Sequence, residues 1–195
     1  DPENSEILVK GKTVMSGYYN KPAENEKAFT EDGYFRTGDA GRMEGNTLFF
    51  TERIKDLYKT SNGKYIAPQA IEMVMSGDQY IEQIAVIGDQ RKFVSALIVP
   101  AYSLLEKYAE EKGLAVGSRE ELVRNKEVLR LIETHIEENQ KNLASYEKIK
   151  RFTLLSEPFT MGSELTDTLK LRRSVILKKY ADSIEKMYEE ASNPS

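Results

Sequence analysis

No cysteine occurs in the 195 residues, and histidine occurs once. The first absence removes disulfides, thiolate metal sites and cysteine nucleophiles together, and it suits a reducing, cytosolic compartment. The second leaves His135 without a companion imidazole, so a histidine-based triad is not expected. His135 lies in the charged run "LIETHIEENQ" and reads as a solvated helix residue. A net charge of −4, with lysine and arginine scattered along the chain, gives no basic stripe, and nucleic acid is not the expected partner. There is no uninterrupted apolar run of about 18 residues, and the first residues have neither a basic n-region nor a methionine. A membrane-spanning chain or a secretory precursor is therefore not expected. The entry at "DPENSEILVKG" reads instead as a piece cut from something longer.

The composition that remains, 39% hydrophobic and 31% charged, is that of a globular chain with room for one or two domains. Alternation in "EILVKG" and the apolar "TLFF" after Gly45 and Asn46 predict short antiparallel strands within residues 1–52. About 50 residues bury too little surface to be stable alone, so this part is expected to lean on neighbouring structure. At "TERIKDLYKTSNGKYIAPQAIE" the pattern changes to a polar junction, a short strand around Leu57 and Tyr58, a Ser-Asn-Gly turn and a helix opened by Pro68. The boundary is placed near Lys55, giving a β-rich part over 1–54 and an α+β domain over 55–195. In the second part, "EQIAVIG" and "FVSALIVP" are continuous apolar runs that suit a buried strand pair. Leu122, Leu129, Ile132, Ile136 and Leu143 predict one amphipathic helix, most simply core-facing, with a partner-binding groove as the alternative. "RFTLLS" predicts another strand, and Leu177, Tyr180, Ile184 and Met187 a final helix ending near "ASNPS".

Three clusters carry groups that could do chemistry. "DGYFRTGDAG", residues 32–41, sets the carboxylate of Asp39 among Gly33, Gly38 and Gly41, and reads as a tight, shaped loop. A plain surface turn fits the same residues. The stretch Arg53 to Lys64 holds cations and the turn "SNGKY". In "ELTDTLKLRR", Lys170 follows a Thr-Asp-Thr segment and precedes the last helix, where an ammonium on a flexible stem could reach outward. A solvated surface lysine is the plain alternative.

Together and in this order the clusters resemble the AMP-forming acyl-CoA synthetases of the adenylate-forming superfamily. The likeness runs through "VMSGYYNKPAENEKAFTEDGYFRTGDAG", "RIKDLYKTSNGKYIAPQAIE", "YEKIKRFTLLSEPF" and "ELTDTLKLRR", and so covers nearly the whole chain. The last segment and the helical region before it are similar to the long-chain fatty-acid branch. Other branches usually have glycine directly before the late lysine, where this chain has Leu169. Glu52 stands where glycine or aspartate often precedes the hinge arginine, and Asp167 where long-chain members usually have proline.

The resemblance implies a small C-terminal domain of the acyl-CoA synthetase type, preceded by the last piece of a large N-terminal domain. It implies that Asp39 and Arg53 bind the ribose of ATP or AMP, that Lys55 is the hinge, and that Gly63 lines the path of the CoA thiol. Lys170 is implied to reach the reacting carboxylate and α-phosphate during adenylation. The implied reactants of an intact enzyme are a fatty acid, ATP with Mg, and CoA. No metal ligand is expected in this chain, and without the N-terminal domain it is expected to be inactive alone. The implied location is cytoplasmic, with peripheral membrane association left open. A medium-chain ligase, a carrier-protein acylating enzyme, and a non-catalytic accessory module with the same fold are the alternatives.

Overall fold

The computed structural model describes residue 1 and residues 4–189, which divide into two units, Asp1–Tyr58 and Lys59–Ser195. In the first unit, β1 (Glu6–Val9), β2 (Phe35–Glu44) and β3 (Thr47–Arg53) form an antiparallel sheet in the order β1-β2-β3. Strands β2 and β3 are joined by Gly45 and Asn46 alone, and Gly45 supplies the positive φ of 59° that so short a hairpin needs. Between β1 and β2 lies α1 (Pro22–Ala28), a two-turn helix with proline in its first turn. It was not expected from the sequence, because seven residues carry too little periodicity to register. The unit ends in a 3₁₀ turn, Ile54–Asp56.

The expected loop at residues 32–41 is corrected by β2, which takes up residues 35–41. Phe35 and Arg36 pair with β1, Asp39 and Gly41 with β3, and Ala40 with both, so backbone pairing overrides the turn-forming residue types. The glycines are used inside the strand. A Cβ on Gly41 would stand 2.7 Å from the Phe49 carbonyl oxygen, so only glycine permits the close approach there.

In the second unit, β4 (Tyr58–Lys59, its first residue closing the preceding unit) and β5 (Tyr65–Ile66) flank the turn at Gly63, and α2 (Pro68–Met75) follows. The main sheet has the order β6 (Ile81–Ile87), β7 (Val94–Pro100), β8 (Ile149–Leu154), antiparallel between the first two and parallel between the last two. Every residue of β7 is buried, as expected of a central strand with both faces covered. The parallel β8 requires a crossover. It is made by α3 (Tyr102–Glu111), α4 (Arg119–Leu122) and α5 (Lys126–Asn139). The buried Gln140 sets the start of β8, accepting the Ile149 N–H at 2.9 Å and donating to its carbonyl at 3.4 Å. Helices α6 (Arg173–Lys179) and α7 (Ala181–Glu189) complete the unit. Among the described residues no helix is long and apolar enough to cross a membrane.

Two helical expectations are corrected. The stripe from Leu122 to Leu143 is two helices, because the Asn125 side chain accepts the Glu127 N–H at 2.9 Å and the Val128 N–H at 3.4 Å and so starts α5 afresh. Val128, Ile132 and Ile136 are the buried residues of α5, while Leu129 is half-buried and Leu143 lies beyond its end. The final helix is likewise interrupted at Tyr180, and its expected end at "ASNPS" lies outside the described residues. His135 is half-buried and paired rather than freely solvated. Its Nδ1 lies 2.7 Å from Asp78 Oδ2, and its ring meets Tyr80 edge-on at 4.8 Å.

Candidate functional site

In the first unit, Asp39 and Arg53 come together as a directly opposed pair on β2 and β3, with Arg53 Nε 3.0 Å from Asp39 Oδ1. The N–H is not aimed at that oxygen, so the contact is an ion pair without hydrogen-bond alignment. Asp39 Oδ2 takes no hydrogen bond among the described residues and remains available to an outside donor.

The backbone under Asp39 is irregular and held. Gly38 has φ of 72°, and its N–H donates to Oε1 of the buried Glu6 at 3.0 Å. Glu6 Oε2 accepts from Arg36 at 2.8 Å. Thr37 Oγ1 donates to the Ile7 carbonyl at 2.8 Å and accepts the Asp39 N–H at 3.1 Å. The pairing slips by one residue between Ala40 and Gly41. Such a bulge re-aims a side chain without ending the strand. Glu6 and Thr37 thus position the carboxylate. Glu6 lies about 30 residues from its partners and left no local signal in the sequence. Glu52, beside Arg53, is also buried.

Lys55 occupies the middle of the 3₁₀ turn and is exposed. The turn is closed by one hydrogen bond, Leu57 N–H to the Ile54 carbonyl at 3.2 Å, and is flanked by extended residues at Arg53 and Leu57.

In the second unit, Gly63 has φ of 78° with open space where a Cβ would stand. Its turn is tied to the turn after β6. Ser61 N–H donates to the Arg91 carbonyl at 2.9 Å, Gln90 N–H to the Lys59 carbonyl at 2.9 Å, and Lys59 N–H to Asp89 Oδ1 at 3.1 Å.

Lys170 lies on an exposed turn, and its ammonium makes no hydrogen bond or ion pair among the described residues. Its N–H donates to Thr166 Oγ1 at 3.0 Å, and its carbonyl accepts the Thr166 N–H at 2.9 Å. Leu169 has φ of 60°, the left-handed conformation that glycine adopts without cost. Below the turn, Glu164 is fully buried and paired with Lys179. Burial alone would raise the Glu164 pKa, but the hydrogen bonds from Lys179 and the Thr160 N–H outweigh it and hold the group at about 2. The same bond raises Lys179. Among the described residues no group of three or more His, Cys, Asp or Glu is arranged to hold a metal ion.

Residues 55–192 match the family described as the AMP-binding enzyme C-terminal domain. Over 189 residues the chain is 35% identical to long-chain-fatty-acid–CoA ligase 5 of Mus musculus, covering 94% of this chain and 28% of that protein. Over another 189-residue alignment it is 32% identical to long-chain-fatty-acid–CoA ligase FadD15 of Mycobacterium tuberculosis, covering 95% and 31%. The chain thus spans under a third of the length of these curated relatives. Among solved structures, it is similar to the adenylation domain of a carboxylate reductase from Mycobacterium chelonae, with TM-score 0.67, 28% identity, and coverage of 96% of this chain and 30% of that one. The A domain of a carboxylic acid reductase from Segniliparus rugosus, in complex with AMP and a co-purified carboxylic acid, matches with TM-score 0.65 and 26% identity over 95% of this chain and 28% of that one.

Proposed function

The chain belongs to the family of AMP-binding enzyme C-terminal domains, and from that premise we propose that it is the C-terminal part of an AMP-forming long-chain fatty-acid–CoA ligase. In this reading the intact enzyme first converts a fatty acid and Mg–ATP to an acyl-adenylate and pyrophosphate. It then transfers the acyl group to CoA and releases AMP. Magnesium belongs to the Mg–ATP substrate. Residues 1–54 close the large domain, and 55–195 form the mobile one. A cytoplasmic location with peripheral contact to membranes, where long acyl chains partition, belongs to the same proposal.

The observation that carries the reading is the Asp39–Arg53 pair. A carboxylate with one oxygen against a guanidinium and the other open can accept from the vicinal hydroxyls of a ribose. Lys170 supplies the cation that meets negative charge on the α-phosphoryl oxygens as the fatty acid attacks. Lys55 is the pivot in a turn closed by a single hydrogen bond. Rotation there withdraws Lys170 and brings the Gly63 turn to the acyl-adenylate as the wall of the CoA path.

The test is a stoichiometry. Full-length protein given ATP, CoA and palmitate should release AMP, pyrophosphate and palmitoyl-CoA in equal amounts; ADP as product, or ATP consumption indifferent to palmitate, would overturn the reading. The 195-residue chain alone should release no palmitate-dependent pyrophosphate. A second reading, acylation of a carrier protein, is favoured by the similarity to the A-PCP didomain of the Segniliparus rugosus carboxylic acid reductase, with TM-score 0.65 and 27% identity over 96% of this chain and 25% of that one. Preformed palmitoyl-adenylate offered separately to CoA and to a phosphopantetheinylated carrier protein distinguishes the two.

A further inference from the structure

The turn that carries Lys170 is exposed, yet the segment beneath it is anchored by a carboxylate with no contact with solvent. Glu164 Oε2 accepts from the Thr160 N–H at 3.1 Å and from Thr160 Oγ1 at 3.3 Å, and Oε1 is paired with Lys179 at the end of α6. The Glu164 carbonyl accepts the Arg172 N–H at 2.7 Å. These bonds join the chain entering the turn, at Thr160, to the chain leaving it, at Arg172 and Lys179. Arg172 adds a second tie, donating from Nη1 to the carbonyls of Gly162 and Ser163 at 2.9 and 3.0 Å. A carboxylate is costly to remove from water unless it is fully paired, and a loop that merely joined β8 to α6 could use solvated side chains instead.

At the tip, one residue takes both backbone groups of Lys170. Thr166 donates its N–H to the Lys170 carbonyl and accepts the Lys170 N–H on Oγ1. The Thr166 carbonyl also accepts the Leu169 N–H at 2.9 Å. We propose that Thr166 at the tip and Glu164 at the base are positioning residues that fix the direction in which the Lys170 side chain leaves the turn. This rests on the reading of Lys170 as the adenylation cation. A flexible lysine stem can be aimed only from a fixed backbone, and misplacing a catalytic group by about 1 Å can cost roughly a hundredfold in rate.

The test uses the full-length protein and two single-turnover measurements, pyrophosphate release from ATP and palmitate, and palmitoyl-CoA formation from preformed palmitoyl-adenylate. Thr166→Val keeps the shape and removes the acceptor. It should slow the first step by roughly ten- to a hundredfold and leave the second unchanged. Thr166→Ser should restore most of the first rate. Introduced beside Lys170→Ala, Thr166→Val should add no further loss, because no ammonium is left to aim. Glu164→Gln, which keeps shape but removes the charge facing Lys179, should give the same pattern; if that variant does not fold, the Thr166 pair decides. A wild-type rate for Thr166→Val, equal slowing of both steps, or a full additive loss beside Lys170→Ala would each overturn the proposal. The underlying reading fails separately, when Lys170→Ala alone leaves pyrophosphate release at the wild-type rate.

Discussion

Asp39 offers one oxygen to Arg53 and leaves the other open, which makes a specific expectation possible at the scale of a single residue. On the proposed role, Asp39→Ala in the full-length protein removes two hydrogen bonds donated by the ribose hydroxyls to the carboxylate, each worth about 1.5–3 kcal/mol. ATP should bind more weakly, and a deoxyribose analogue should lose less from the substitution than ATP does; equal losses in a binding titration would mean that Asp39 does not hold the diol. Leu169 gives a second expectation. Its φ of 60° costs an L-residue about 1–2 kcal/mol, and its side chain is largely exposed, so little burial is at stake. Glycine relieves that strain but loosens the unfolded chain by about 0.4–1 kcal/mol. Leu169→Gly should therefore be neutral or stabilising by up to about 1.6 kcal/mol in urea unfolding, and a clear loss of stability would contradict the left-handed turn. Asp39, Arg53 and Lys170 were legible in the sequence as charged groups in recognisable surroundings. The role of His135 was not, since its partner Asp78 lies 57 residues away and no local pattern announces it.

Elements were legible where one physical signal dominated. The continuous apolar runs of β6 and β7 could be little other than buried strands, and Pro68 marked the start of α2. Where a cap or a register competed with periodicity, the sequence misled: Asn125 splits the expected helix, and pairing with Arg53 on β3 draws Asp39 into a strand. Asn125→Ala should cost about 1 kcal/mol of stability, measured by denaturation, because two N–H groups at the start of α5 lose their acceptor. Pairing between elements also sets the response to acid. Burial raises the Asp78 pKa, but the Tyr80 N–H, His135 and Asn139 outweigh it, and the net direction is down. Glu164 is lowered from 4.5 to about 2. Groups whose folded pKa is depressed contribute fully above the unfolded value and lose that contribution as pH falls through the folded value. Stability should therefore fall between about pH 4.5 and pH 2, and Glu164→Gln should flatten the acid limb of a stability–pH curve. An acid limb unchanged in that variant would contradict the ion pair with Lys179.

For the whole molecule, the fold divides into Asp1–Tyr58 and Lys59–Ser195, while the change of pattern along the sequence suggests a boundary near Lys55. Each unit carries part of the proposed chemistry, with the ribose carboxylate in the first and the adenylation lysine and CoA-path glycine in the second. A chemistry divided in this way should be separable by step. The central claim is that Lys170 serves adenylation alone and is withdrawn before thioester formation, and single-turnover kinetics of Lys170→Ala in the full-length protein test it most directly. Palmitate-dependent pyrophosphate release should slow by an amount corresponding to about 3 kcal/mol, the loss of one transition-state charge contact. Formation of palmitoyl-CoA from supplied palmitoyl-adenylate should continue at the wild-type rate. Equal slowing of both steps, or an unchanged rate of pyrophosphate release, would contradict the account.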